Sequence, residues 1–162
     1  MRKVIVIGSS GAGKSTFARK LRDKTELPLY YLDMLWHKPD RTTVTREEFD
    51  AKLEKLLKQD QWILDGNFQR TLETRLMACD TVFLLDYPLE VCLVSVENRI
   101  GQKRDDMPWI ETEFDPEFRQ WIVNFQQKQL PQIYELLEKY LRQKDIVIFK
   151  SRQEADDYLD GL

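Results

Sequence analysis

An α/β fold, a five-stranded parallel sheet with helices on both faces, is the architecture this sequence predicts, and three observations predict it. Short apolar, β-branched runs alternate with stretches of helical periodicity from end to end, the pattern of right-handed βαβ units. Gly8-Ser9-Ser10-Gly11-Ala12-Gly13-Lys14-Ser15 fits G-x-x-x-x-G-K-[ST]. Its flanks agree with it: Val4-Ile5-Val6-Ile7 reads as a buried strand, and Ser15 to Leu21 as an amphipathic helix.

That motif is the phosphate-binding loop of nucleoside triphosphate-binding proteins. Its glycines let the backbone curl until successive N–H groups point at phosphate oxygens, and the helix N-terminus adds partial positive charge. The candidate nucleotide-binding residues are therefore Gly8, Ser9, Ser10, Gly11, Ala12, Gly13, Lys14, Ser15 and Thr16. Lys14 is expected to reach the β- and γ-phosphates and the Ser15 hydroxyl to meet Mg²⁺. No Asn-Lys-x-Asp guanine-specificity segment is present, so ATP is the expected nucleotide.

The elements follow in order. Strand 2–7, the loop and a helix over about 14–23 form the first unit, and Leu27 to Leu32 a second strand ending at Asp33. Met34 to Thr45 reads as irregular. Thr45 and Glu48 then form a capping box for a helix carrying Phe49, Leu53, Leu56 and Leu57. Trp62-Ile63-Leu64 is a third strand, stopped by Asp65-Gly66-Asn67, with a short helix around Arg70–Met77 behind it. Thr81 to Leu85 is a fourth strand ending at Asp86. Pro88 suits the first turn of the next helix, which runs to about Ile100.

Residues 101–116, charged and broken by Gly and Pro, have the composition of a lid inserted into a single domain spanning 1–162. Beyond Glu117 a helical face returns, with Trp121 and Phe125 expected in the core. Pro131 should kink or restart that helix. Asp145 to Phe149 is a last strand, and Ser151 caps a final helix with Glu154 at its third position.

Composition narrows the class: 42% hydrophobic, 33% charged and a mean hydropathy of −0.53 are ordinary for a globular chain. No run of eighteen apolar residues exists, so the expectation is a cytoplasmic protein without a membrane span. A net charge of −3 argues against a broad nucleic-acid-binding face. Cys79 and Cys92 lack metal spacing and read as buried thiols, and the lone His37 leaves no material for a histidine-based triad. The expected association state is a monomer or weak homodimer.

Ligands of such sheets sit beyond the carboxyl ends of the strands, where Gly8, Asp33, Asp65-Gly66-Asn67 and Asp86 all fall. Phosphoryl transfer needs carboxylates for Mg²⁺ and arginines for the moving phosphoryl group. Asp65 is the preferred metal partner beside Ser15, with Asp86 the alternative. Asp33 is placed to orient or deprotonate an acceptor hydroxyl. Arg70 could clamp an anionic part of that acceptor, Trp36 could wall its pocket, and Gly66 and Asn67 lie in the same loop. Arg99 and Arg104, around the Gly101 break, could swing onto the phosphates as lid arginines.

In this order, the phosphate loop, Leu32-Asp33, Leu64-Asp65-Gly66-Asn67, Leu85-Asp86-Tyr87-Pro88 and Arg99 resemble the nucleoside monophosphate kinase group of P-loop proteins. More narrowly the chain resembles the bacterial adenylate-kinase-like proteins labelled DNA topology modulation proteins. Leu32 to Trp36, Trp62 to Asn67 and Asp106-Met107-Pro108 carry that likeness. The resemblance implies a P-loop kinase fold, ATP and Mg²⁺, Asp65 near the metal, Arg99 as the first lid arginine, and Ser151 to Glu154 packing on the base. Trp36 stands where adenylate kinases place the arginine that grips the acceptor's phosphate. Shikimate- and gluconate-type kinases also carry a carboxylate at the end of the second strand, so a sugar-like or stackable acceptor fits Asp33 beside Trp36. The sequence thus predicts a kinase moving the γ-phosphoryl group to a small nucleoside, nucleotide or hydroxylated metabolite. The alternative is an ATP-binding regulator with no such acceptor.

Overall fold

The computed structural model describes residues 1–162. Five parallel strands run in the order β2-β3-β1-β4-β5: β1 Lys3–Gly8, β2 Leu29–Tyr31, β3 Trp62–Asp65, β4 Thr81–Leu85 and β5 Asp145–Phe149. The helices are α1 Lys14–Thr25, α2 Leu32–Trp36, α3 Arg46–Leu57, α4 Gln69–Ala78, α5 Leu89–Arg99, α6 Pro116–Asn124, α7 Leu130–Glu138 and α8 Arg152–Asp160. None is long and apolar enough to cross a membrane.

Because side chains alternate along a strand, one sequence supplies two cores. Ile5, Ile7, Leu64 and Leu84 face α3, α4 and α7, while Val4, Val6, Ile63 and Phe83 face α1, α5, α6 and α8. Both predicted caps form: the Thr45 hydroxyl accepts from the Glu48 N–H at 3.1 Å and the Ser151 hydroxyl from the Glu154 N–H at 3.2 Å.

Two expectations are corrected and a third is refined. The second strand is shorter than Leu27–Leu32. Pro28 has no N–H for the ladder, and the chain winds into α2 at Leu32, placing Asp33 in a first helical turn rather than at a strand end. Pro131 lies in the first turn of α7, where the α-helix restarts as expected. A π-helical turn, Phe125–Gln129, precedes it and closes with the Leu130 N–H on the Phe125 carbonyl. The wider turn accommodates a ring that lacks an N–H for the carbonyl four residues back. Trp121 is not core: it is 39% exposed and stacks on Phe118 at the cleft, whereas Ile122 and Phe125 are fully buried. The π-turn is also where the helix passes from one core to the other, Ile122 packing on the α1, α5 and α8 side and Phe125 on the α3, α4 and α7 side.

Candidate active site

The phosphate loop is a turn that only its own sequence permits. Gly11 has φ 80°, and a Cβ there would collide with the Cys92 carbonyl oxygen, so the loop lies directly on α5. Lys14 opens α1 and folds its Nζ back onto the Ser9 carbonyl at 3.0 Å. Burial lowers the Lys14 pKa below the ordinary lysine value, against the opposing pull of Asp65 and Asp33.

Since β3 lies beside β1 with Val6 opposite Asp65, the chain leaving β3 comes up against that loop. Asp65 Oδ2 accepts a 2.7 Å hydrogen bond from the Ser15 hydroxyl, and its buried Oδ1 has no partner. Burial raises the Asp65 carboxyl to about 6, although Lys14 and Ser15 both favour the charged form. Asn67 clasps Gly8, accepting from its N–H at 2.9 Å and donating to its carbonyl.

Underneath, Arg75 is fully buried and donates to the carbonyls of Gly66 (2.9 Å), Asn67 and Phe68 (3.2 Å) and to Thr71 Oγ1 (3.3 Å). Phe68 stands at φ 35°, a left-handed turn that these bonds hold. Sequence reading missed Arg75. Its only signal is a cation in the last turn of α4, which reads as an ordinary partner of the helix dipole.

A cleft of about 1240 Å³ opens over the loop. Lys14, Ser15, Thr16, Asp33, Asp65, Arg99 and Arg104 all line it, as does Asp106 from the lid. Asp33 keeps 41% of its side chain exposed there, 3.8 Å from His37 Nε2. Partial burial raises its pKa, opposed first by Lys14 and then by His37. The lid arginines are paired with lid carboxylates. Arg104 holds Asp106 in a fork at 3.0 and 2.6 Å and also meets Glu111, while Arg99 lies 3.7 Å from Glu111 and over Phe118 with its buried Nε unpartnered.

The remaining predicted residues lie elsewhere. Asp86 is bonded to Lys150 and Tyr134 and does not line the cleft, so of the two candidate metal carboxylates only Asp65 reaches Ser15. Asn67 clasps Gly8, Gly66 donates its N–H to the Val6 carbonyl (3.1 Å), and neither lines the cleft, because sheet order seats them beside β1. Trp36 packs edge-on to Phe49 and Phe68, and with Arg46 and Arg70 it borders a separate hollow of about 320 Å³. Arg70 is tied to Asp50 through two bonds, 3.1 and 2.7 Å, across to α3.

Ser15 and Asp65 fit a hard cation: both offer oxygen, and Asp65 Oδ1 is buried without a donor. No group of three or more His, Cys, Asp or Glu side chains is placed to hold a metal by itself. That suits Mg²⁺, which takes one or two protein ligands and completes its shell with phosphate oxygens and water.

No family model matches the chain, and no curated protein matches it. Solved structures do. Shikimate kinase from Acinetobacter baumannii in complex with shikimate superposes with a TM-score of 0.66 at 16% identity, over 99% of this chain and 90% of that one. Shikimate kinase from Bacteroides thetaiotaomicron gives 0.65 at 17%, over 98% and 94%. A gluconokinase from Sinorhizobium meliloti 1021 gives 0.60 at 16%, over 98% and 87%. At these identities the likeness is one of fold, and it extends along nearly the whole chain. The sheet order, the phosphate loop and these superpositions together give the chain the shikimate-kinase-like P-loop fold.

Proposed function

We propose that this chain is an ATP-dependent phosphotransferase acting on a small hydroxyl-bearing acceptor. The observation that carries the reading is the convergence in one cleft of Lys14 and Ser15, a buried Asp65, an accessible Asp33, and two arginines on the covering lid. The fold neighbours are small-molecule kinases, which supports the same reading. The narrower likeness to DNA topology modulation proteins rests on sequence segments alone.

In this mechanism the backbone N–H groups of Gly11 to Ser15 receive the phosphates, and Lys14 exchanges the Ser9 carbonyl for phosphate oxygens. Ser15 and Asp65 would hold Mg²⁺, which would supply positive charge to neutralise the phosphates. Asp33 accepts the proton of the attacking hydroxyl. The new P–O bond to the acceptor forms as the bond from the γ-phosphorus to the β–γ bridging oxygen breaks, leaving ADP. Arg99 and Arg104 leave Glu111 and Asp106 to meet the developing charge, and the lid keeps water from acting as acceptor.

The test is Mg-ATP turnover against nucleosides, nucleoside monophosphates, hydroxy acids and sugars. Stimulation of at least about tenfold over the acceptor-free rate is expected from one class. A flat panel with tight ATP binding would overturn the proposal in favour of a nucleotide-binding regulator.

A further inference from the structure

Beside Asp33 stands a small rigid turn to which phosphoryl transfer assigns no task. His37 follows α2 with its N–H on the Asp33 carbonyl (2.9 Å) and bridges antiparallel to Thr43. Inside the turn the Lys38 N–H donates to Thr42 (2.8 Å), the Arg41 N–H to Lys38 (3.0 Å), and the Asp40 carboxylate accepts from the Thr42 N–H (2.9 Å). Arg41 is held at φ 68°, a left-handed conformation that a long side chain keeps only where its surroundings impose it.

The turn presents two side chains to the lid. The Arg41 guanidinium lies over the ring of Trp109, 5.9 Å from its centroid. The His37 imidazole meets the same indole edge-on, centroids 5.1 Å apart at 78°. His37 Nε2 is also 3.8 Å from Asp33 Oδ1. One imidazole therefore touches both the lid's tryptophan and the carboxylate expected to meet the acceptor. All four residues line the cleft.

We propose that His37 and Arg41 form the seat for Trp109, and that His37 is a positioning residue through which the seated lid orients Asp33. The inference rests on the reading of Asp33 as the acceptor carboxylate. With the lid down, the imidazole is fixed between indole and carboxylate, and Asp33 has an ordered neighbour. With the lid up, the imidazole turns freely and the carboxylate loses it. Transfer is thereby tied to closure, which disfavours transfer to water.

His37 is the only histidine, so a selectively ¹³C-labelled chain gives a single imidazole Cε1–Hε1 signal. The experiment records that signal in the native chain, in Asp33→Asn, in Trp109→Leu and in the double variant, with Trp109→Phe as the ring-preserving control and a thermal melt confirming each fold. Trp109→Leu should move the signal by more than its linewidth, and Trp109→Phe should move it less. Asp33→Asn should also move it, and by a smaller amount once Trp109→Leu is present. A signal indifferent to Trp109→Leu, or an Asp33→Asn displacement equal in both backgrounds, overturns the proposal. The readout needs no acceptor. A flat acceptor panel therefore sinks the kinase reading without touching the seat, and an uncoupled signal sinks the seat without touching turnover.

Discussion

Around the phosphate loop, polar groups are held by backbone or by buried neighbours: Asn67 clasps Gly8, Ser15 meets Asp65, and Arg75 ties down three successive carbonyls. Across the cleft the acceptor side rests on side-chain pairs instead, Asp33 with His37, Arg104 with Asp106 and Glu111, and Trp109 on its seat. The first region is preorganised by the sheet. The second is assembled from segments outside the sheet, so its pairs can exchange partners when a ligand enters. The proposed phosphoryl transfer would use both: a fixed cradle for a constant triphosphate, and a cover that re-pairs around an acceptor.

Four substitutions would break or sharpen that contrast. Lys14→Ala should cut phosphoryl transfer by about a thousandfold while leaving the thermal midpoint near that of the native chain. Retained turnover would mean that the cradle is not where transfer occurs.

Arg75→Ala should cost about 3 kcal/mol in urea unfolding, because three carbonyls and the left-handed Phe68 lose their support at once. ATP affinity should fall with it, since the Asp65-Gly66-Asn67 segment positions Gly8 and Ser15. A neutral result would show that the cradle stands without its brace.

Asp65→Asn separates stability from function. Burial raises the Asp65 carboxyl from 3.8 to about 6, so between those values the folded chain holds a proton that the unfolded chain has released. The contribution is fully present below about pH 4 and is lost as pH rises through about 6. In magnesium-free buffer at pH 7, the variant should therefore be more stable than the native chain by about 3 kcal/mol, the two converging at pH 4. Mg-dependent turnover should drop about a hundredfold. Parallel pH dependence in the two proteins would contradict the buried, proton-holding carboxyl.

The smallest effect is expected from Arg70→Ala. The Arg70–Asp50 pair is exposed and lies outside the cleft, so ATP affinity and the thermal midpoint should be unchanged by calorimetry. A several-fold loss of ATP affinity would show that Arg70 reaches the nucleotide. A raised acceptor KM alone would place part of the acceptor in the Trp36 hollow.

The phosphate loop, the strand alternation and both helix caps were legible from local chemistry, because each rests on residues close in sequence. What was not legible is long-range. That Asn67 serves Gly8 depends on β3 lying next to β1, 59 residues apart along the chain. That Arg75 turns inward depends on the loop it props, and a cation at a helix end carries no mark of that in sequence. Trp121 and Phe125 share a helical spacing, yet only the course of the helix across the cleft and onto the sheet separates the exposed ring from the buried one.

By itself, then, the sequence determined the fold class and the turn of the Gly8–Ser15 loop, since glycine conformations, capping and strand periodicity are set by nearest neighbours and by the backbone. Only the tertiary structure set Asp65 beside Ser15 and Asp86 beside Lys150, paired Arg99 and Arg104 with carboxylates, and brought His37, Asp33 and Trp109 together. Those choices depend on strand order and on charges meeting across a cleft, where a side chain's partner lies far away in sequence and close in space.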